Sequence, residues 1–143
     1  MPDQIDDLVG IPNGTLLFRR IDPTKIVYDK NLKERRPTSQ NFQNSNDGTP
    51  MSVFAENVAL ANDEAPQDFL TGVWSDWLLA GVYVEDMRAH HQKVYLDLHN
   101  QEATDFHPSH AAVDGTKDAK TRKKLAEKYE WIVPPANRYE PEE

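Results

Sequence analysis

Thr15-Leu16-Leu17-Phe18-Arg19-Arg20-Ile21 and Met51-Ser52-Val53-Phe54 are apolar runs of strand length, and they bracket Arg35-Arg36-Pro37-Thr38-Ser39-Gln40-Asn41-Phe42. Two strands with a polar loop between them can aim guanidinium, hydroxyl and amide groups at a ligand. Side chains alternate across a strand, so Arg19 and Arg20 are expected on opposite faces, with only one joining a given pocket. If Arg36, Ser39 and Gln40 fold back beside Arg19, with Ser52 from the return strand, the result is a guanidinium fork flanked by neutral donors. Such a fork suits a carboxylate, a phosphate or a nucleotide diphosphate. The competing reading is structural: an arginine that pins the loop by bonding its carbonyls, the commoner fate of a polar group at such a place.

Outward from this stretch the chain reads as short elements. Asp22-Pro23-Thr24 is a turn, Lys25 to Asp29 a short extended piece or one helical turn, and Asp47-Gly48 a hairpin signal. A helix is expected over Glu64 to Leu70. The near-continuous run Trp77 to Val84 favours a strand in its second half, and Glu85 to His91 a helix of one to two turns. Lys93 to Leu98 alternates, with Val94, Leu96 and Leu98 on the buried side. His110 to Val113 is a strand stopped by Asp114-Gly115. Lys117 to Tyr129 is a lysine-rich helix, its basic residues read as a solvated face, and Trp131 to Val133 a last strand before Pro134-Pro135. The fold class is therefore α+β: one small domain over residues 15–135, with a central, mostly antiparallel sheet, two to four short helices and long loops. An acidic arm is expected over residues 1–14, and a charged tail over residues 136–143.

With 143 residues the chain suits one core. Its net charge of −8 lowers the expectation of binding to nucleic acid, because an acidic body repels a phosphate backbone. Much of that charge lies at the two ends, which leaves room for a local basic patch. The absence of cysteine excludes disulfides, thiolate metal sites and cysteine catalysis, and fits a reducing cytoplasm. No leader-like segment and no apolar run long enough to span a bilayer is evident, so no membrane role is expected.

All five histidines fall between His90 and His110. Asp105, His107 and His110 are a weak candidate metal set, although their spacing follows no established ligand pattern and an exposed histidine-rich loop is the simpler reading. Glu56 and His110 are the candidates for an acid or base, since they flank expected strands, where catalytic groups commonly sit. Phosphate-binding glycine loops, G-x-S-x-G and H-E-x-x-H are all absent. Trp74, Trp77, Phe69 and Phe54 are read as core, with some of them able to line a groove.

The segments Leu17-Phe18-Arg19-Arg20-Ile21, Arg36 to Phe42, Met51-Ser52-Val53, Pro108-x-His110-Ala111-Ala112-Val113-x-Gly115 and Trp131-Ile132-Val133-x-Pro135 resemble, in that order, a family of small bacterial proteins of unassigned function. The resemblance draws attention to Arg19, Arg36, Ser39, Ser52 and His110 without implying a reaction. The chain is also faintly similar to ADP-ribosyltransferase-like toxins of the RES type, with an arginine in an early strand and a serine after a glycine-containing turn. It lacks their Gly-Gly-Arg-Trp-Asn run and an assured catalytic glutamate. Two functions are therefore expected. The first is a cytoplasmic, cofactor-free module that binds a protein partner, in a bacterial toxin, immunity or phage-defence setting. The alternative is an enzyme acting on a nucleotide or NAD through the arginine pocket.

Overall fold

A computed structural model describes residues 11–45, 48–97 and 107–141. The strands are β1 (Leu16–Ile21), β2 (Ile26–Asp29), β3 (Glu34–Pro37), β4 (Met51–Ala55), β5 (Leu78–Tyr83), β6 (Lys93–Leu96), β7 (His110–Asp114) and β8 (Glu130–Val133). The helices are α1 (Glu56–Ala61), α2 (Val84–Ala89) and α3 (Ala119–Ala126). Six strands form one antiparallel sheet in the order β6-β7-β4-β1-β5-β8, and β2 and β3 pair separately. The α+β class expected from the alternating runs is the observed one. No helix among the described residues is long and apolar enough to cross a membrane.

Strand alternation sorts the core onto two faces. Leu17, Ile21, Met51, Val53, Ala80, Val82, Val94, Ala111 and Val113 point to one face, where Phe42, Met87 of α2 and Leu125 of α3 cover them. Leu16, Phe18, Phe54 and Leu79 point to the other, covered by Ala59 of α1 and by Phe69. This second apolar patch is the smaller. Beyond it, towards β7 and β6, the same face carries polar side chains.

Ladder pairing is uneven at the centre of the sheet. β1 pairs with β5 over its whole length, from Leu16 opposite Tyr83 to Ile21 opposite Leu78. Against β4 it pairs only at Leu17–Ala55 and Phe18–Phe54. From Arg19 onward β1 and β4 part, and their edges face a gap rather than each other.

Three local expectations change. The helix expected over Glu64 to Leu70 shrinks to a 3-10 turn, Pro66–Phe69, capped by Asp68 Oδ2 on the Ala65 amide at 2.7 Å. Gly72, at φ +60°, then turns the chain towards the tryptophans. The lysine-rich helix starts later than expected, because Asp118 is its N-cap and accepts from the Thr121 amide at 2.8 Å. Lys117 therefore lies outside the helix and is buried, donating to Asn44 Oδ1 at 2.6 Å and to the Val113 and Gly115 carbonyls at 2.7 and 3.1 Å. It is no part of a solvated face.

Both ends of the described chain dock on the domain. Ile11 is buried, and its carbonyl accepts from Arg88 Nη2. Arg138, in the segment read as tail, accepts from the Arg35 amide through its carbonyl and binds Glu34 at 3.0 Å through Nε. Residues 1–10 of the expected arm and Asp47 of the hairpin signal lie outside the described residues.

Candidate functional site

The gap between β1 and β4 is filled by an arginine. Arg19 donates from Nε to the Asn41 carbonyl at 2.9 Å and from Nη1 to the Ser52 carbonyl at 2.8 Å. In an unbroken ladder that Ser52 carbonyl would face β1; here the guanidinium takes the amide's place. Asn41, buried in the 3-10 turn Ser39–Asn41, holds the loop in position. Its Oδ1 accepts from the Asp22 amide at 3.1 Å, and its Nδ2 donates to the Lys25 and Thr38 carbonyls at 2.8 and 3.2 Å.

Arg20 leaves the opposite face of β1. It donates to the Phe69 carbonyl at 2.7 Å, and its guanidinium carbon lies 4.3 Å from the Trp74 ring centroid and 4.8 Å from that of Phe54. Flat guanidinium on an aromatic face is a favourable cation–π arrangement. Although they start on opposite faces, Arg19 and Arg20 line the same hollow, because the parted strands let Arg19 reach through the sheet. The expectation that only one of them could join a pocket assumed an unbroken ladder.

This hollow has two adjoining lobes. The aromatic lobe, about 250 Å³, is walled by Phe54, Trp74 and Trp77, with Ser45 and Ser52 at its polar side. The polar lobe, about 300 Å³, shares Arg19, Arg20, Ser45 and Trp77 and adds Lys25, Gln40, Asn44 and one carboxylate, Asp22. Burial, and then the neighbouring charge of Arg20, lower the Arg19 pKa to about 10. Lys117 stands behind the polar lobe, holding its Asn44. Burial depresses its pKa to about 8, with Asp114 working against the shift and Arg19 adding to it. Among the described residues the cations here, Arg19, Arg20 and Lys25 with Lys117 behind them, outnumber the one lining carboxylate, Asp22.

On the polar face beside Ser52, three side chains from adjacent strands are connected. Ser52 on β4 and His110 on β7 are diagonal neighbours, because Ser52 is opposite Ala112 and Phe54 opposite His110. Ser52 Oγ lies 3.1 Å from His110 Nε2, and His110 Nδ1 lies 3.6 Å from Asp97 Oδ2, just past the end of β6. The other histidine near this face is committed differently. His107 Nδ1 is 2.7 Å from Glu64 Oε2, the second carboxylate oxygen of Glu64 accepts from Ser109 Oγ at 2.9 Å, and the ring packs on Phe54 and Phe69. That group clasps the approach to β7 onto the segment after α1.

No protein-family model matches the chain, and neither a curated protein nor a solved structure matches it.

Of the residues singled out in the sequence, Arg19, Gln40, Ser52 and His110 lie at or beside this hollow. Arg36 does not. It is on β3, its Nε binds Asp29 Oδ2 at 2.9 Å, and with Ser39, Val27, Leu32 and Tyr129 it lines a separate hollow of about 660 Å³ against α3. The return of the loop places Arg36 in the separate two-stranded sheet, so the fork of Arg19 with Arg36 does not form. Glu56 opens α1 and is not among the described residues that line either lobe. For the metal set, Asp105 lies outside the described residues, His107 and His110 face different carboxylates, and no group of three or more candidate ligands occurs among the described residues.

Arg20, Asn41, Asp97, Lys117 and the two tryptophans were not singled out as a site. Trp74 and Trp77 offered one signal: they are separated by the polar pair Ser75-Asp76, which two neighbouring core residues seldom enclose.

Proposed function

We propose that the chain binds a nucleotide-class ligand in the two-lobed hollow, with a phosphate astride Arg19 and Arg20 and the base against Trp74 and Trp77. The observation that carries this is the state of Arg19. Both its bonds go to backbone carbonyls, which carry no formal charge, and the charge that bears on it is a second guanidinium. An anion between the two groups relieves their repulsion. Trp74 and Trp77 give the other half of a nucleotide an aromatic surface, and together the two lobes are of the size small-ligand sites take.

A protein partner has less behind it. The large exposed apolar side chains among the described residues, Leu32, Leu60, Val73 and Tyr139, lie on four separate segments.

The test is a thermal-shift and calorimetric panel of nucleoside mono- and diphosphates, NAD and inorganic phosphate. A ligand at about 100 times its Kd raises the melting temperature by roughly 5–10 °C in a chain of this size. Arg20→Ala removes the shift, Lys25→Ala reduces it, and phosphate alone gives a smaller one. A panel in which no nucleotide binds at millimolar concentration rejects the reading.

A further inference from the structure

We propose that Ser52 is a nucleophile, activated by His110 with Asp97 as its positioning residue, and that it takes a phosphoryl group from the bound ligand. The inference takes its substrate class from the nucleotide reading, but its geometry is independent of that reading.

Three strands set the arrangement. Register places Ser52 and His110 diagonally on one face, the Asp97 amide donates to the His110 carbonyl at 2.9 Å, and the Phe54 ring beside the imidazole restrains its rotation. With its proton on Nδ1, facing the Asp97 carboxylate, His110 leaves Nε2 to accept from the Ser52 hydroxyl. Ser52 is also the one member that lines the hollow, and its carbonyl is held by the guanidinium proposed to seat the phosphate. Nucleophile, base, orienting carboxylate and charge-stabilising cations are thus adjacent, the combination that defines a nucleophilic site by roles rather than by sequence order. A purely structural demand does not explain the group, because Ser52 and His110 are both partly exposed and water could satisfy either.

The chemistry closes without a redox partner. The Ser52 Oγ proton passes to His110 Nε2 as Oγ bonds to phosphorus. The bond from phosphorus to the leaving oxygen breaks with its electron pair, and that oxygen takes the proton from Nε2. Water then gives a proton to Nε2 while its oxygen bonds to phosphorus, and the departing Ser52 oxygen recovers that proton. The sum is hydrolysis of one phosphoester or phosphoanhydride bond. Arg19 and Arg20 stabilise the charge that gathers on the phosphoryl oxygens.

A fluorophosphonate tests this without any nucleotide. Attack by Ser52 forms a phosphorus–oxygen bond and expels fluoride, so intact-mass and peptide analysis should find one adduct, on Ser52. Ser52→Ala should abolish it, and His110→Gln should slow it by at least about 100-fold. Asp97→Asn should slow it by about 100- to 10,000-fold and move the inflection of the pH–rate profile. Because the chain has no cysteine, Ser52→Cys supplies a single thiol. Its alkylation rate against pH should show a thiolate formed well below the ordinary range, returning to that range when His110→Gln is added. The proposal is overturned by an unlabelled Ser52, by equal labelling rates in wild type and folded His110→Gln, or by a thiol that titrates alike with and without His110. If nucleotides bind but Ser52 is inert, the binding reading stands and the nucleophile falls. If Ser52 labels but no nucleotide binds, the nucleophile stands and its substrate class falls.

Discussion

Two hollows among the described residues are lined by arginine, and the larger is the poorer candidate for an anion. Around Arg36 there is about 660 Å³ of space, but its guanidinium is already paired with the Asp29 carboxylate. Around Arg19 the two lobes are smaller, yet its guanidinium bonds only carbonyls and repels its neighbour. Volume measures what can enter; the charge left over after internal pairing decides what is attracted. Arg19 comes from an apolar strand and Arg36 from the polar stretch that follows it, and the separate pairing of β3 with β2 keeps their roles apart.

The largest way to break this comparison is to remove Arg19. It acts there as a replacement for a missing stretch of ladder, so Arg19→Met should leave two carbonyls without their charged donor and destabilise the fold by roughly 2–4 kcal/mol. Equilibrium urea unfolding measures this. Removing Arg36 tests the other side: Arg36→Ala should leave nucleotide binding unchanged, and a loss of binding there would merge the two hollows into one site.

Asn41→Ala should come next, at roughly 2–3 kcal/mol, since a buried carboxamide making three hydrogen bonds is lost. The effect should extend to ligand affinity, because the Asn41 carbonyl is one of the two that orient Arg19. A stable, fully binding Asn41→Ala protein would mean that the loop is held by something else.

These two residues also mark where the sequence was legible. The strands Leu16–Ile21, Met51–Ala55 and His110–Asp114 follow from apolar runs of the right length, and their alternation alone assigns the two core faces. The parting of β1 from β4 leaves no trace in composition, because it is a matter of register between residues more than thirty positions apart. Arg20 was set aside for that reason, whereas Arg36 was placed beside Arg19 because the separate pairing of β2 with β3 leaves no trace either. Ser52 and His110 were each visible as polar residues in apolar strands, but their contact depends on which residues of β4 and β7 stand opposite each other. Lys117 was misread because the position of the helix N-cap, one residue later, decides whether it faces solvent or core.

Lys117 gives the pH-dependent prediction. Its folded pKa, about 8, is below the ordinary 10.5 because burial disfavours the charged form. Between those values the unfolded chain holds a proton that the folded chain has released, so stability rises with pH across that window. From pH 7.5 to 9.5 the gain is roughly 1–2 kcal/mol. Unfolding free energies measured over that range should rise for wild type and stay flatter for Lys117→Met. Well below the folded pKa the group is charged in both states and contributes no slope. A wild-type profile that falls over this window would reverse the assigned burial effect and, with it, the picture of a cationic group held behind the polar lobe.

The smallest expected effect sharpens the comparison most, because it tries to turn one hollow into the other. Asp29 accepts from the Asn31 and Leu32 amides as well as from Arg36, and those bonds hold its carboxyl below the usual carboxylate range. Asp29→Asn keeps an oxygen for the turn amides and removes only the charge. If leftover charge, and not shape, determines which hollow takes an anion, this variant should acquire weak phosphate binding beside Arg36. Phosphate titrations followed by shifts of the Arg36 and Leu32 resonances should then show saturation in the millimolar range that is absent from wild type. That binding should weaken as salt is raised, because a partly exposed guanidinium is readily screened. Binding at the Arg19 hollow should not change. If Asp29→Asn stays inert to phosphate while the Arg19 hollow binds it, then the parted strands and their carbonyl-bound guanidinium, and not the charge left over, make the difference.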